Sequence, residues 1–316
     1  MNKLHSGNLY QRFGVQLLDD YSRAEDVPTI QKLEELITLA EDIGCVEALR
    51  EKGHNTEYLL SKKRAAYIDL LGIKPTDHVL EIGSSMGQHT RLAARKCKRV
   101  SALEIVPLQA LFSKIWCDEE GLDNVDVTSG DMSGRLPYED STFDVVICNY
   151  VLEWCAGRHQ GSTKEFHREF LREIFRSLKS GGKLYLSTKN RFSIRYLLGS
   201  EDEHLGIRFG SALPRALQNM ARRRADLGHP TGYLHSWNAL EQLLRDVGFS
   251  QLERLLGFPD ARYPDYLGPF SGFSRELLSE DIIQKVGKKN KLSMYLPSPI
   301  FQQTTNSLIF FAQKGL

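Results

Sequence analysis

Val79-Leu80-Glu81-Ile82-Gly83-Ser84-Ser85-Met86-Gly87 is the stretch whose reading decides the fold. A short apolar run ends in a carboxylate, and a Gly/Ser turn then leads toward a helix expected over residues 88–96. This is the pattern of a buried parallel strand whose C-terminal end opens onto a ligand. Glycines let the backbone of such a turn come close to the ligand, and the helix behind it offers N–H groups to an anionic part. A lone turn of this kind also closes ordinary strand–helix corners, so its neighbours must decide the matter.

Downstream, short apolar runs alternate with helical stretches. Strands are predicted at His78–Ile82, Arg99–Glu104, Val125–Ser129, 143–148 and 183–187, and helices at 88–96, 107–120 and 164–178. Ser180-Gly181-Gly182 reads as the turn after the last of these helices. Such alternation argues for an α/β fold, a mostly parallel sheet with helices on both faces. A helix at 236–247, a strand near 251–256 and a last strand at 307–312 would complete it. Upstream, residues 9–71 read as helices: Ile30, Leu33, Ile37 and Leu39 share a helical face, and a second helix runs from 55 or 56 to 71. Two stretches, about 190–233 and 259–303, are too long for plain connections and read as insertions covering a substrate, the first helical near 213–226.

Three further features sit in order behind the opening turn. Glu104 ends the next strand, just over twenty residues beyond Glu81; Asp131 follows Ser129-Gly130 and precedes Met132. Leu136-Pro137 leads through an acidic loop to Phe143-Asp144, and Leu178-Lys179-Ser180-Gly181-Gly182 precedes the fifth strand. Together these resemble the class I S-adenosylmethionine (SAM) methyltransferases, over roughly residues 58–189, with Ser85 standing where the family motif has its middle glycine. The resemblance implies a Rossmann-like seven-stranded sheet with SAM as cofactor. It implies that Glu81, Gly83, Ser85, Gly87 and Gln88 form the loop, Glu104 and Ile105 meet the ribose side, Asp131 and Met132 meet adenine, and Asn149 lies near the methyl group. In domain terms it implies a helical extension over 1–57 and a methyltransferase domain over 58–316. The spacing of a dinucleotide fingerprint is absent, because the loop has only Gly83 and Gly87.

A formal net charge of +1 over 316 residues gives no global attraction to nucleic acid or to an anionic membrane, and no nucleic-acid partner is expected. Arg222–Arg224, with Arg215 upstream, reads as the solvated face of a helix, and Glu201-Asp202-Glu203-His204 as a solvated acidic turn rather than a metal site. No segment reaches the roughly 18 apolar residues of a membrane span. Cys45, Cys97, Cys117, Cys148 and Cys155 are scattered, with no Cys-x-x-Cys pair, which fits a reducing cytoplasm. Oligomeric state is left open.

Methyl transfer from a sulfonium is a direct displacement, so the protein supplies alignment and, for a hydroxyl acceptor, a base. Glu153, in Asn149-Tyr150-Val151-Leu152-Glu153-Trp154, and His159 and His235 are the base candidates, each with a plain alternative in packing or surface exposure. The Asn-Pro-Pro-Tyr signature of amino-group methyltransferases is absent. Thr188-Lys189-Asn190-Arg191-Phe192 and Glu203-His204 resemble a segment of bacterial methyltransferases of surface-glycan biosynthesis. That resemblance implies O-methylation of a sugar or other small-molecule hydroxyl, with Arg191 and Tyr233 as substrate contacts. An apolar, quinone-like acceptor lining the 266–273 loop, and a non-catalytic SAM-binding partner protein, remain the alternatives.

Overall fold

The computed structural model describes residues 9–18, 27–130, 134–155, 162–225, 232–273 and 277–315. The chain divides into two compact units, Met1–Ile147 with Ser177–Gly182, and Cys148–Arg176 with Lys183–Leu316.

In the first unit the apolar runs form strands in the order β1-β4-β3-β2-β5, where β1 is Gln16–Leu17, β2 His78–Ile82, β3 Arg99–Glu104, β4 Val125–Ser129 and β5 Phe143–Asn149. β2 pairs parallel with β3, Glu81 opposite Ala102, and β3 pairs parallel with β4, Glu104 opposite Ser129. Val79, Leu80, Ile82, Val100, Ala102 and Leu103 are fully buried, as expected of strands covered on both faces. The helix Pro107–Glu119 starts on a proline whose fixed φ suits a first turn, and it buries Leu111, Ile115 and Trp116.

Three local expectations change. The helix after the glycine turn is only Thr90–Ala94, because Gly87 donates to the Ser84 carbonyl and closes a turn first. The helix expected up to residue 71 breaks into Thr56–Leu60, a 3₁₀ turn at Lys62–Ala65, and Ala66–Leu70. Ser61 is the cause: its backbone is extended and its hydroxyl accepts from the Lys63 N–H, capping a new turn. The N-terminal region is also not purely helical, since β1 pairs parallel with β4, Gln16 opposite Thr128.

The second unit is antiparallel. Its strands are the end of β6 (Leu178–Lys189), a two-residue pair β7 (Glu201–Asp202) and β8 (Ile207–Arg208), then β9 (Phe249–Phe258), β10 (Tyr266–Pro269) and β11 (Ser307–Lys314). β11 lies between β6 and β9, Ile309 opposite Ser187 on one side and Leu255 on the other. Among the described residues the expected strands are present, and two short ones are added, β1 beside β4 in the first unit and β10 beside β9 in the second. The helix Trp237–Val247 buries Trp237, Leu240, Leu243 and Leu244 at helical spacing against this unit's core, where Leu308, Ile309 and Phe310 are also fully buried. No helix among the described residues is long and apolar enough to cross a membrane.

Candidate active site

The first unit holds the loop. Gly83, Ser85 and Gly87 all take positive φ, at 75°, 50° and 85°. At Gly87 a side chain is also excluded by space, since a Cβ there would lie 2.5 Å from Ser113 Oγ. Ser85 adopts the left-handed region at a cost glycine would not carry. It is held there because its N–H donates to Glu104 Oε2 at 2.7 Å, while Val106 N–H donates to Glu104 Oε1 at 3.0 Å. One carboxylate at the end of β3 thus organises both the turn after β2 and the turn after its own strand.

Glu81, 3% exposed, accepts from the Thr90 hydroxyl at 2.5 Å. Burial pushes its carboxyl up to about 8, and the neighbouring Glu104 charge adds to this, against the lowering effect of Thr90. Gln88 is buried and Ile105 half-buried. The loop suits a close-lying ligand with positive charge and hydrogen-bonding groups. A buried carboxyl with a raised pKa gains from a cation, and the Ser84 and Ser113 hydroxyls are buried with no hydrogen-bond partner among the described residues. Asp131, Met132 and His159 lie outside the described residues.

The second unit holds the remaining candidates. Asn149 Oδ1 accepts from Ser187 Oγ at 2.6 Å. Tyr150, at φ 59°, hydrogen-bonds Ser307 Oγ and, at 3.3 Å, donates to Asp260 Oδ1. Glu153 is fully buried: Oε2 accepts from Thr188 Oγ1 at 2.7 Å, while Oε1 has no partner among the described residues. Burial raises the Glu153 carboxyl above its ordinary range. His235 is buried, its Nε2 2.7 Å from His167 Nδ1. Burial, then the neighbouring His167, holds His235 well below 6.5, and burial puts His167 at about 4, so the pair is neutral.

Arg191 and Tyr233 line one small cavity of about 20 Å³, room for about one water molecule, together with Asp202, His204, Ser211, Arg215 and Gln218. Arg191 is largely committed to the wall, donating to the carbonyls of Ser211, Ala212 and Leu213. The Arg215 guanidinium lies 4.8 Å over the Tyr233 ring. Tyr233 N–H donates to the Glu153 carbonyl at 3.0 Å, so the cavity wall leans on the Glu153 backbone. Gly232 fits only without a side chain, because a Cβ would fall 2.2 Å from that carbonyl and 2.4 Å from His204 Nδ1.

Two readings of this region change. Asp202 and His204 are each 1% exposed rather than part of a solvated turn, with Glu201 and Glu203 facing out between them. Arg222 is buried, donating to the Leu205 carbonyl, and only Arg223 and Arg224 form an exposed face. Sequence reasoning also passed over His167, Ser211 and Gln218. His167 carried a usable signal, one uncharged polar residue on the apolar side of the charged helix Thr163–Ser177.

Parallel strands whose second and third members end in buried carboxylates beside a positive-φ glycine turn define a Rossmann-like, SAM-binding methyltransferase fold. Residues 80–186 match the family model described as a methyltransferase domain, and over them the chain is a class I SAM-dependent methyltransferase domain with SAM as its cofactor. A demethylmenaquinone methyltransferase of Tropheryma whipplei is 26% identical over 192 residues, 59% of this chain and 72% of that protein. A protein-L-isoaspartate O-methyltransferase of Polaromonas is 37% identical over 83 residues, 26% of this chain; the chain spans only 35% of that relative's length. Among solved structures, a Haloferax volcanii methyltransferase in complex with its methyltransferase activator shares the fold, with TM-score 0.50 and 14% identity, covering 90% of this chain and 97% of that one.

Proposed function

We propose that the chain methylates a hydroxyl of a sugar or other polar small molecule. One observation carries the reading: Glu153 is a buried carboxylate just past β5, raised in pKa and with Oε1 unpartnered among the described residues. SAM, when bound, supplies a methyl group already activated on its sulfonium. A neutral hydroxyl still needs a base, and a raised carboxyl pKa brings Glu153 nearer that task. In this reading Glu153 Oε1 would take the acceptor's hydroxyl proton while bound SAM would supply the methyl group to the oxygen left behind. Glu104 then serves the ribose, and Glu81 with Gly83, Ser85, Gly87 and Gln88 the methionine side. Asp131 and Met132 serve adenine, and the segments at about 190–233 and 259–303 cover the acceptor. A place in surface-glycan synthesis and a cytoplasmic setting, compatible with the free cysteines, belong to the same proposal.

The menaquinone-type relative raises an apolar acceptor as the second reading. The 266–273 loop offers it little, because its rings are packed on their own core: Phe270 lies 4.8 Å from Trp237, and Phe273 stacks 5.2 Å from Phe301. The test is a screen with SAM carrying an isotope-labelled methyl, against sugar phosphates, nucleotide sugars, free sugars and demethylated quinols. Label on a polar hydroxylated acceptor is expected. Label on a quinol would select the second reading. Tight SAM binding with no label on any class would favour a non-catalytic SAM-binding protein.

A further inference from the structure

Exposed apolar surface is concentrated in the second unit. Of the fourteen large apolar side chains exposed among the described residues, eight fall in two stretches, 197–220 and 292–300, which is a patch rather than the usual scatter. The two stretches meet. Lys289 Nζ donates to Ser200 Oγ at 2.8 Å, and the short helix Ile194–Leu197 packs on the helix Lys288–Ser293. The Phe209 ring lies against Gly199, where a Cβ would fall 2.6 Å from it. Leu197, Leu198, Phe209 and Leu292 thus share one region of the surface. Phe209 keeps its ring 60% exposed on a backbone at φ 59°, a region costly for a bulky residue, and core burial does not offset that cost.

The helix Arg215–Arg224, seated on the chain either side of Phe209, has its burial inverted. Gln218 donates to the Gly210 and Ser211 carbonyls and Arg222 to the Leu205 carbonyl, so polar residues turn inward. Leu217 and Met220 turn outward, 43% and 45% exposed, with Arg223 and Arg224 exposed on the same helix. A helix serving only its own fold would bury the apolar pair. Charge on this face has one sign. Arg195, Arg223, Arg224 and Lys288 are exposed, and neither 204–225 nor 287–300 contains an acid. The exposed Glu201 lies opposite Arg208 across β7 and β8, and Glu203 pairs with Lys189.

We propose that this face docks on an anionic membrane surface, with the arginines at the lipid headgroups and Phe209, Leu217 and Met220 at the acyl boundary. A two-fold pairing with a second copy would set arginines against arginines. A nucleic-acid backbone would satisfy the cations and leave the apolar side chains unused. An anionic bilayer takes both. With a net charge of +1 over the whole chain, the contact is local and reversible. It goes beyond the acceptor reading and holds whichever acceptor is methylated.

Co-sedimentation of the full chain with vesicles tests this. Mixed phosphatidylcholine–phosphatidylglycerol vesicles should bind about tenfold or more tighter than phosphatidylcholine alone, and added salt should weaken the binding. Replacing both Arg223→Gln and Arg224→Gln should weaken the mixed vesicles about 20-fold and leave the weak binding to phosphatidylcholine unchanged. Joint Leu217→Ser and Met220→Ser, and separately Phe209→Ser, should weaken binding to mixed vesicles by about tenfold. All these side chains are exposed, so Tm and SAM affinity should stay at wild-type values and certify folding. No sedimentation with mixed vesicles, or folded variants that bind them like the wild type, would overturn the proposal. So would a wild-type dimer in ultracentrifugation that Leu217→Ser with Met220→Ser dissolves, which would make the face a contact between copies.

Discussion

Glu104 is the residue on which the turn after β2 depends. Each of its oxygens receives a backbone N–H, from Ser85 and from Val106, and it lies 5% exposed. Glu104→Gln replaces one of those acceptors with a donor facing an N–H. A hydrogen bond to a charged group contributes about 1.5–3 kcal/mol, so SAM affinity should fall roughly 10- to 100-fold in calorimetry. An unchanged affinity would separate Glu104 from the cofactor. Its place at the end of β3 was legible in the sequence, because the apolar run before it closes there on a carboxylate. Asp202 was not. It alternates in burial with Glu201 and Glu203, and only tertiary packing decides which members of a polar run turn inward.

At the scale of elements, the turn between β2 and Thr90–Ala94 is held by positive φ at three positions, and Gly87 is the one without room for a side chain. Gly87→Ala combines a left-handed backbone penalty of about 1–2 kcal/mol with overlap against Ser113. It should lower the Tm by a few degrees and weaken SAM binding; a variant matching the wild type in both would mean the turn is looser than described. The parallel strands β2 to β4 were readable to the residue, since short stretches rich in apolar and β-branched residues, bounded by turn signals, have few other interpretations. β6 was not, because Ser180-Gly181-Gly182 reads as a turn. Gly181, at φ 72°, instead takes up the irregular geometry inside a strand that runs on from Leu178. β1 is two residues long and has no pattern to find.

At the scale of the whole molecule, buried histidines set the acid response. Burial holds His89 and His204 at about 3 and His167 at about 4, with His235 well below its ordinary value. Each is neutral when folded but protonates near 6.5 when unfolded, so the unfolded chain takes up more protons as pH falls. Their stabilising contribution is present above about pH 6.5 and is lost below it, by about 1 kcal/mol per pH unit per group. Glu81 acts with the opposite sign: its folded value of about 8 contributes stability below 4.5 that is lost as pH rises toward 8. A single substitution separates the two. In His167→Gln, the drop in Tm between about pH 7 and about pH 5 should shrink relative to the wild type, and equal drops would show that the His167–His235 pair does not carry it.

The units' chemistry meets in one measurement: the fate of an isotope-labelled methyl group of SAM, offered with a sugar phosphate to the wild type and to Glu153→Gln. The predicted result is label on an acceptor oxygen with the wild type, and a rate reduced about 100-fold or more in the variant at unchanged SAM affinity. Label on carbon or nitrogen, or an undiminished rate in Glu153→Gln, would contradict the account.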